Sequence, residues 1–169
     1  NLRSSIDHYG LKSEYTARSL SIMAYLASKN GNAARADSLY EQCIAVQRSV
    51  ADGSTDPGLA RIQMERAEQY IVQQRYPEAV QDLLEARGNF ELIHGTGHRT
   101  LAQCDIFLAE AYSALGQMDA AEASALSAIE ALRERRPTAD HPMPRTEAMP
   151  HLLPDAIYRK TVIARKKQD

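Results

Sequence analysis

Two histidines flank two glycines in the stretch HGTGHRTLA, which begins at His94. His94 and His98 lie four residues apart, which on one continuous helix would place two imidazole ligands on the same face for a metal ion. The glycines between them break such a helix, and no third ligand lies nearby. The GTG element does not follow a strand, so it lacks the context of a phosphate-binding glycine loop. The stretch therefore favours a connector without a metal, in which Gly95 ends one helix and Thr96 or Thr100 caps the next.

The other ionisable residues form no catalytic pattern. Glu65 and Glu68 share one helix face, and Asp105 and Glu110 do so less closely. Such carboxylate pairs are usually solvated, and nothing around them builds an acid/base site. The remaining histidines are scattered over connectors and chain ends. We therefore predict no enzymatic activity and no cofactor.

The bulk composition bounds the class of protein. A chain of 169 residues, of which 44 % are hydrophobic, fits one ordinary domain. Its net charge of −2 favours neither nucleic acid nor an anionic membrane, and no apolar run is long enough to span a bilayer. Cys43 and Cys104, the two cysteines, fall inside helical apolar patterns, so we expect buried free thiols and a cytoplasmic protein. The excess of 15 arginines over 5 lysines is typical of a GC-rich bacterial genome.

An internal repeat is visible in the spacing of glycines and alanines. The spacing is 43 and then 42 residues in two series, Gly10, Gly53 and Gly95, and Ala17, Ala60 and Ala102. The glycines lie in connectors, and the alanines open apolar helical patterns. HGTGHRTLA is thus one copy of a recurrent connector.

Between the connectors, apolar residues recur at three- and four-residue steps, which is the period of an amphipathic helix. Each unit contains two such stripes, and the breaks between them fall at Asn30–Asn32, Arg75–Pro77 and Gly116. No stretch shows the sustained alternation of a strand. The sequence therefore predicts an all-α chain of helix–turn–helix units.

The units resemble tetratricopeptide repeats (TPRs), whose first helix carries Leu-Gly-x-x-Tyr and whose second carries Ala-x-x-x-Phe and a further Ala. The third unit has Leu108-Ala109-x-x-Tyr112, Gly116, Ala121-x-x-x-Ala125 and Ala128. The second has Ala67-x-x-Tyr70, Ala79-x-x-x-Leu83 and Ala86, and the first has Met23-Ala24-x-x-Ala27, Gly31, Ala36-x-x-x-Tyr40 and Cys43. Two residues of the second unit depart from the pattern. Arg66 replaces the leucine, and Gln74 replaces the turn glycine.

The repeat length of 42–43 residues resembles that of the longer repeats of kinesin light chains and of many bacterial regulatory proteins. The resemblance implies a right-handed superhelical, TPR-like solenoid of antiparallel helix pairs. We expect 1–10 to be the end of a preceding repeat helix, with at least half a repeat upstream. The three repeats are expected at 14–51, 56–94 and 98–135. Residues 136–169 are expected to form a proline-rich connector, followed by a capping helix or by the start of a fourth repeat.

In families of this kind, the first helix of each pair lines a concave groove that holds an extended peptide or a partner helix. Carrying that pattern over predicts twelve groove residues. They are Arg18, Ser21, Tyr25 and Lys29 in the first unit, Arg61, Met64, Glu68 and Ile71 in the second, and Gln103, Ile106, Glu110 and Ser113 in the third. The predicted face mixes charges with apolar anchors, and it lacks the run of Lys and Arg of a clamp for acidic tails.

The resemblance thus implies a non-enzymatic module that binds a protein or peptide partner, and no nucleic acid. Two alternatives stay open. The chain could be the sensory or regulatory region of a larger bacterial Ser/Thr kinase or transcriptional regulator. It could also associate with itself, as a homodimer formed through exposed repeat ends.

Overall fold

The computed structural model describes residues 6, 10, 13–50, 56–96 and 98–134 of the chain. These residues form six α-helices and no strand, which confirms the predicted all-α fold class. The helices are α1 (Glu14–Lys29), α2 (Ala33–Val50), α3 (Pro57–Val72), α4 (Tyr76–His94), α5 (Arg99–Ala114) and α6 (Met118–Glu134). The segments predicted at 1–10, apart from residues 6 and 10, and at 136–169 lie outside the described residues.

Short turns join the helices in pairs. Three residues separate α1 from α2, α3 from α4 and α5 from α6, so the two helices of each pair run antiparallel. The helices α1 and α2 pack together, as do α5 and α6, and α3 contacts both α1 and α2. The ranges 14–51, 56–94 and 98–135 therefore each hold one helix pair. The chain divides into two compact units, Asn1–Asn89 and Phe90–Asp169, with the boundary inside α4.

One type of turn closes the first helix of every pair. The backbone N–H groups of Gly31 and Asn32 donate to carbonyls in the last turn of α1, each over 2.9 Å. This is the Schellman pattern, in which a helix ends on a residue with left-handed backbone conformation. Gln74 and Gly116 take the same position, and their φ angles of 61° and 77° match the 75° of Gly31. The predicted breaks are confirmed, and Gln74 adopts the turn conformation although it is not glycine.

The first helices also begin alike, each with a side chain that accepts a hydrogen bond from the first turn. The N-caps of α1, α3 and α5 are Ser13, Asp56 and His98. The prediction that Thr96 or Thr100 caps α5 is wrong. Thr100 lies inside the helix, and its backbone N–H donates to Nδ1 of His98 over 3.3 Å. The cap must be an extended residue ahead of the helix, and His98, with φ −75° and ψ 143°, is that residue.

The core of the first compact unit is built on small residues between α1 and α2. Its small members are Ala17, Ala24, Ala36 and Cys43, each at most 1 % exposed. They let the two helix backbones approach closely, and larger side chains fill the remaining space. Those larger members include Leu20, Leu39, Tyr40 and Ile62. Because Ile62 comes from α3, the third helix closes this core.

The second compact unit repeats this arrangement between α5 and α6. Its small core residues are Ala102, Ala109, Ala121, Ala125 and Ala128, all fully buried. The two cysteines are buried and free, as predicted. The Cys43 thiol donates to the Ala17 carbonyl over 2.9 Å, and burial raises its pKa to about 12. None of the described helices is long and apolar enough to cross a bilayer.

Candidate binding surface

The twelve predicted groove residues differ in exposure. Nine of them are exposed or half-buried. They are Arg18, Tyr25, Lys29, Arg61, Met64 and Glu68 in the first compact unit and Gln103, Glu110 and Ser113 in the second. Ser21, Ile71 and Ile106 are buried, with exposed fractions of 3 %, 9 % and 3 %. These three lie in packing contacts and not at the surface. The candidate set therefore narrows to the other nine.

Two hydrogen bonds tie α1 to α3 on either side of Tyr25. The Ser21 hydroxyl donates to Glu65, and the Ser28 hydroxyl donates to Oε1 of Gln69 over 2.7 Å. Ser21 and Ser28 lie two helical turns apart, so both point to the same side of α1. Tyr25, which is 45 % exposed, lies between them along the helix. The spacing between α1 and α3 is therefore fixed where the peptide contact is predicted.

An ion pair and a cation–π contact lie on this α1–α3 surface. Arg61 pairs with Glu65 one turn away, and the Lys29 ammonium lies 5.2 Å from the centroid of the Tyr25 ring. Glu68 is half-buried and makes no ion pair with any described residue. The α1–α3 surface thus carries an aromatic ring, Tyr25, on α1 and an unpaired carboxylate, Glu68, on α3.

Tyr40 of α2 is buried close to these carboxylates. Its side chain is 1 % exposed, and its hydroxyl has no hydrogen-bond partner among the described residues. Burial raises the pKa of Tyr40, and the charges of Glu65 and Glu68 raise it further. The phenol therefore stays neutral well above neutral pH.

A buried ion pair joins α3 to α4. The Nε and Nη2 atoms of Arg66 donate to the two carboxylate oxygens of Asp82 over 2.6 and 2.7 Å. Burial raises the pKa of Asp82, and the hydrogen bonds from Arg66 oppose that rise. This bidentate contact explains why Arg66 stands where the resemblance expects a leucine. The sequence showed the departure but did not reveal Asp82, which is 16 residues away, as its partner.

Arg75, at the turn before α4, links that turn to α2. Its guanidinium donates to Asp37 and, over 3.0 Å, to Glu78, and it lies 4.2 Å from the centroid of the Tyr70 ring. The hydrogen bond to Asp37 raises the pKa of Arg75. The pKa of Glu78 is lowered, first by its own backbone N–H at the start of α4 and then by Arg75. No local pattern signals the contact with Asp37, because 38 residues separate the two.

The two histidines of the stretch HGTGHRTLA, His94 and His98, lie at the connector between α4 and α5. Their rings stack with centroids 4.1 Å apart and planes at 18°. Gly95 between them has φ 73°, and its N–H donates to Glu91, so it ends α4 as predicted. Across the described part of the chain, no group of three His, Cys, Asp or Glu side chains is placed to hold a metal ion.

Two of the carboxylates predicted to be solvated are engaged by neighbouring helices instead. Asp105 is 3 % exposed, and it accepts a hydrogen bond over 2.6 Å from Ser127 of α6. Glu65 accepts from Ser21 of α1. Both carboxylates stabilise helix packing because each finds a donor on an adjacent helix, which helical spacing alone does not predict.

No family model matches the chain, and no curated protein matches it. Among solved structures, the crystal structure of BtubC (BKLC) from P. vanneervenii, a kinesin light chain-like protein, superposes with a TM-score of 0.76 at 16 % sequence identity. The match covers 92 % of this chain but only 57 % of that chain. At this identity the similarity shows the fold alone, which is a helical repeat fold that fits TPR-like units.

Proposed function

We propose that this chain is a non-enzymatic protein-interaction module that binds an extended peptide or a partner helix on the faces of its first helices. The observation that carries the proposal is the α1–α3 surface, where Tyr25 lies between two interhelical hydrogen bonds. A surface held at fixed spacing loses little conformational entropy when a ligand binds. An aromatic anchor on α1 and the unpaired Glu68 on α3 suit a peptide that carries both apolar and hydrogen-bond-donating side chains.

The repeat register supports assigning the units to long TPR-like repeats of the kinesin-light-chain type. The N-caps Ser13, Asp56 and His98 and the turn residues Gly31, Gln74 and Gly116 both recur at 43 and then 42 residues. The superposition on BtubC supports the same assignment. No observation on the described residues favours the kinase or transcriptional-regulator alternative.

A peptide-display selection against the immobilised wild-type chain tests the proposal. The selected peptides are then titrated against wild type and against a Tyr25→Ala/Glu68→Gln variant whose helicity is checked by circular dichroism. We expect the variant to bind at least about tenfold more weakly, because it loses the central aromatic anchor and the carboxylate.

Leu92→Ala is the matched control for this titration. Leu92 is 75 % exposed on α4, so its truncation removes an apolar side chain that is more accessible than Tyr25 and lies outside the predicted surface. Peptides that bind the Tyr25→Ala/Glu68→Gln variant as tightly as wild type would place the binding site elsewhere on the chain.

A further inference from the structure

The helix α1 exposes an apolar stripe. Tyr15, Ile22 and Leu26 follow one another at seven and four residues, which places them on one helix face. Their exposed fractions are 57 %, 54 % and 53 %. With Tyr25 they make four of the nine large hydrophobic residues exposed in the described part of the chain, all on one helix of 16 residues. A concentration of this kind marks an interaction surface.

The repeat shows that this face of a first helix is used for packing. The equivalent positions on α3 are Gly58, Glu65 and Gln69, and α3 packs on α1 and α2. Gln69 is 2 % exposed, and Glu65 and Gln69 accept the two hydrogen bonds from α1. A Cβ atom on Gly58 would come within 2.5 Å of Gln47 on α2. On α1 the same three positions carry large apolar side chains, so its face is suited to an apolar partner surface.

The charges at the two ends of α1 indicate which partner fits. Glu14 lies at the first position of the helix and Lys29 at the last, and the three members of the stripe between them are uncharged. The exposed Arg18 lies at the edge of the stripe, three residues after Tyr15 and four before Ile22. A two-fold axis at the middle of α1 sets two copies of the helix antiparallel. Each apolar stripe then covers the other, and each Glu14 comes beside the partner's Lys29. The stripe is thus complementary to itself in apolar content, and the two ends of α1 are complementary to each other in charge.

We propose that the chain forms an antiparallel two-fold dimer in which the Tyr15–Ile22–Leu26 stripes of two copies pack against each other. Glu14 pairs with the partner's Lys29 at both ends of this interface. The stripe borders Tyr25, which lies three residues after Ile22 on α1. The dimer is argued from the apolar stripe and the end charges, so it does not require that a peptide binds at Tyr25.

Sedimentation velocity across a wide concentration range tests the dimer with wild type and an Ile22→Glu/Leu26→Gln variant. These substitutions introduce the residues that α3 carries at the equivalent positions, so they preserve a helix compatible with this fold. We expect the dimer dissociation constant to rise about 100-fold or more, because two apolar side chains per protomer no longer gain from burial. Leu92→Gln, at an exposed leucine outside the stripe, is expected to leave association unchanged.

A charge exchange tests the antiparallel arrangement itself. Glu14→Lys and Lys29→Glu are each expected to weaken the dimer roughly threefold or more at low salt, and the two together to restore it. Wild type that sediments as a monomer at every concentration overturns the proposal. A dimer that the Ile22→Glu/Leu26→Gln variant leaves intact, or a double charge variant without recovery, overturns it equally.

Discussion

Gln74 holds a left-handed backbone conformation, with φ 61°, that costs a residue with a Cβ atom about 1 kcal/mol. Gly31 and Gly116 form the equivalent turns with φ of 75° and 77° and without that cost. The Gln74 side chain is exposed and makes no hydrogen bond among the described residues that would offset the strain. The turn is retained because both Schellman hydrogen bonds form. The N–H of Gln74 donates to the Ile71 carbonyl, and the N–H of Arg75 donates to the Tyr70 carbonyl.

Gln74→Gly is therefore expected to raise the free energy of unfolding by about 0.5 kcal/mol. The relieved strain exceeds the extra entropy that glycine gives the unfolded chain. Urea denaturation followed by circular dichroism measures the change, with Gly116→Ala as the opposite test, since it should lower stability by about 1 kcal/mol. A lower stability for Gln74→Gly would show that the turn is not strained.

At the scale of elements, the contact between α3 and α4 differs from the same contact in the other pairs. Arg66 and Asp82 occupy it in the second pair. The equivalent residues are Met23 and Leu39 in the first pair and Leu108 and Ser124 in the third. Neither of those pairs carries a charge at these positions, and in the first pair both residues are apolar. A buried ion pair seldom adds net stability over such residues, but breaking it leaves a buried charge without a partner.

Arg66→Leu alone is expected to lower the free energy of unfolding by about 3 kcal/mol, because Asp82, at 4 % exposure, stays buried and unpaired. Asp82→Leu alone should cost a similar amount. The double variant should return to within about 1 kcal/mol of wild type, since it reproduces the apolar contact of the first pair. A double-mutant cycle by urea denaturation measures the coupling.

Glu41→Leu is the control that removes the second, solvent-exposed carboxylate near Arg66. Glu41 lies 3.7 Å from Arg66, but its side chain is 75 % exposed, so its removal should change stability by less than about 0.5 kcal/mol. Additive effects of Arg66→Leu and Asp82→Leu would contradict the interpretation that the two residues act as one buried pair.

These elements also show which features a sequence reveals. Helix ends are local, so the turn at Gly116 and the end of α4 at Gly95 could be predicted from a glycine that follows an apolar helical stripe. His98 was missed as a cap because its role depends on an extended backbone, and the two threonines beside it have the residue type preferred at caps. The contact between Arg75 and Asp37 depends on which helix faces meet across 38 residues, and no local pattern records that.

The exposure of the candidate surface could be predicted in part, because a repeat pattern is local but the packing of neighbouring helices is not. A family pattern identifies the first helix of each pair and its approximate outward face, so nine of the twelve residues are at least partly exposed. Ser21 and Ile106 are buried because the neighbouring helix covers one edge of that face, through Glu65 in one case and Ile129 in the other. How far a neighbour covers a helix depends on packing, which a pattern of residue types does not specify.

At the scale of the whole molecule, the chain shares its helical repeat fold with a solved structure to which its sequence has little similarity. A TM-score of 0.76 at 16 % identity means that few side chains need to be shared. The fully buried alanines and the repeated caps and turns are enough to set the helix pairs, while the exposed faces remain free to differ. The boundary between the compact units, inside α4, was not signalled by the repeat, because a sequence period reports local packing.

Global stability should decrease on the alkaline side, since buried thiol and phenol groups resist ionisation in the folded chain, among them Cys43, Tyr40 and Tyr70. Burial raises the pKa of Cys43 to about 12, and burial, with Glu65 and Glu68, raises that of Tyr40. In the unfolded chain, thiols and phenols ionise near pH ~8.5 and ~10 respectively. Above those values the folded state binds more protons than the unfolded state. The free energy of unfolding is then fully retained below about pH 8.5 and decreases as the pH rises.

Tyr40→Phe isolates the phenol's share of this decrease. At pH 7 the variant should be as stable as wild type or more stable by about 0.5–1 kcal/mol, because the buried hydroxyl has no partner among the described residues. Above pH 10, wild type should lose up to about 1.4 kcal/mol more per pH unit than the variant, which is the slope for one proton. Urea denaturation at pH 7, 9 and 11 measures both, with Tyr76→Phe, at a half-buried tyrosine on α4, as the control for losing a hydroxyl. Stability curves of wild type and Tyr40→Phe that stay parallel up to pH 11 would show that the Tyr40 phenol ionises as readily in the folded chain as in the unfolded one.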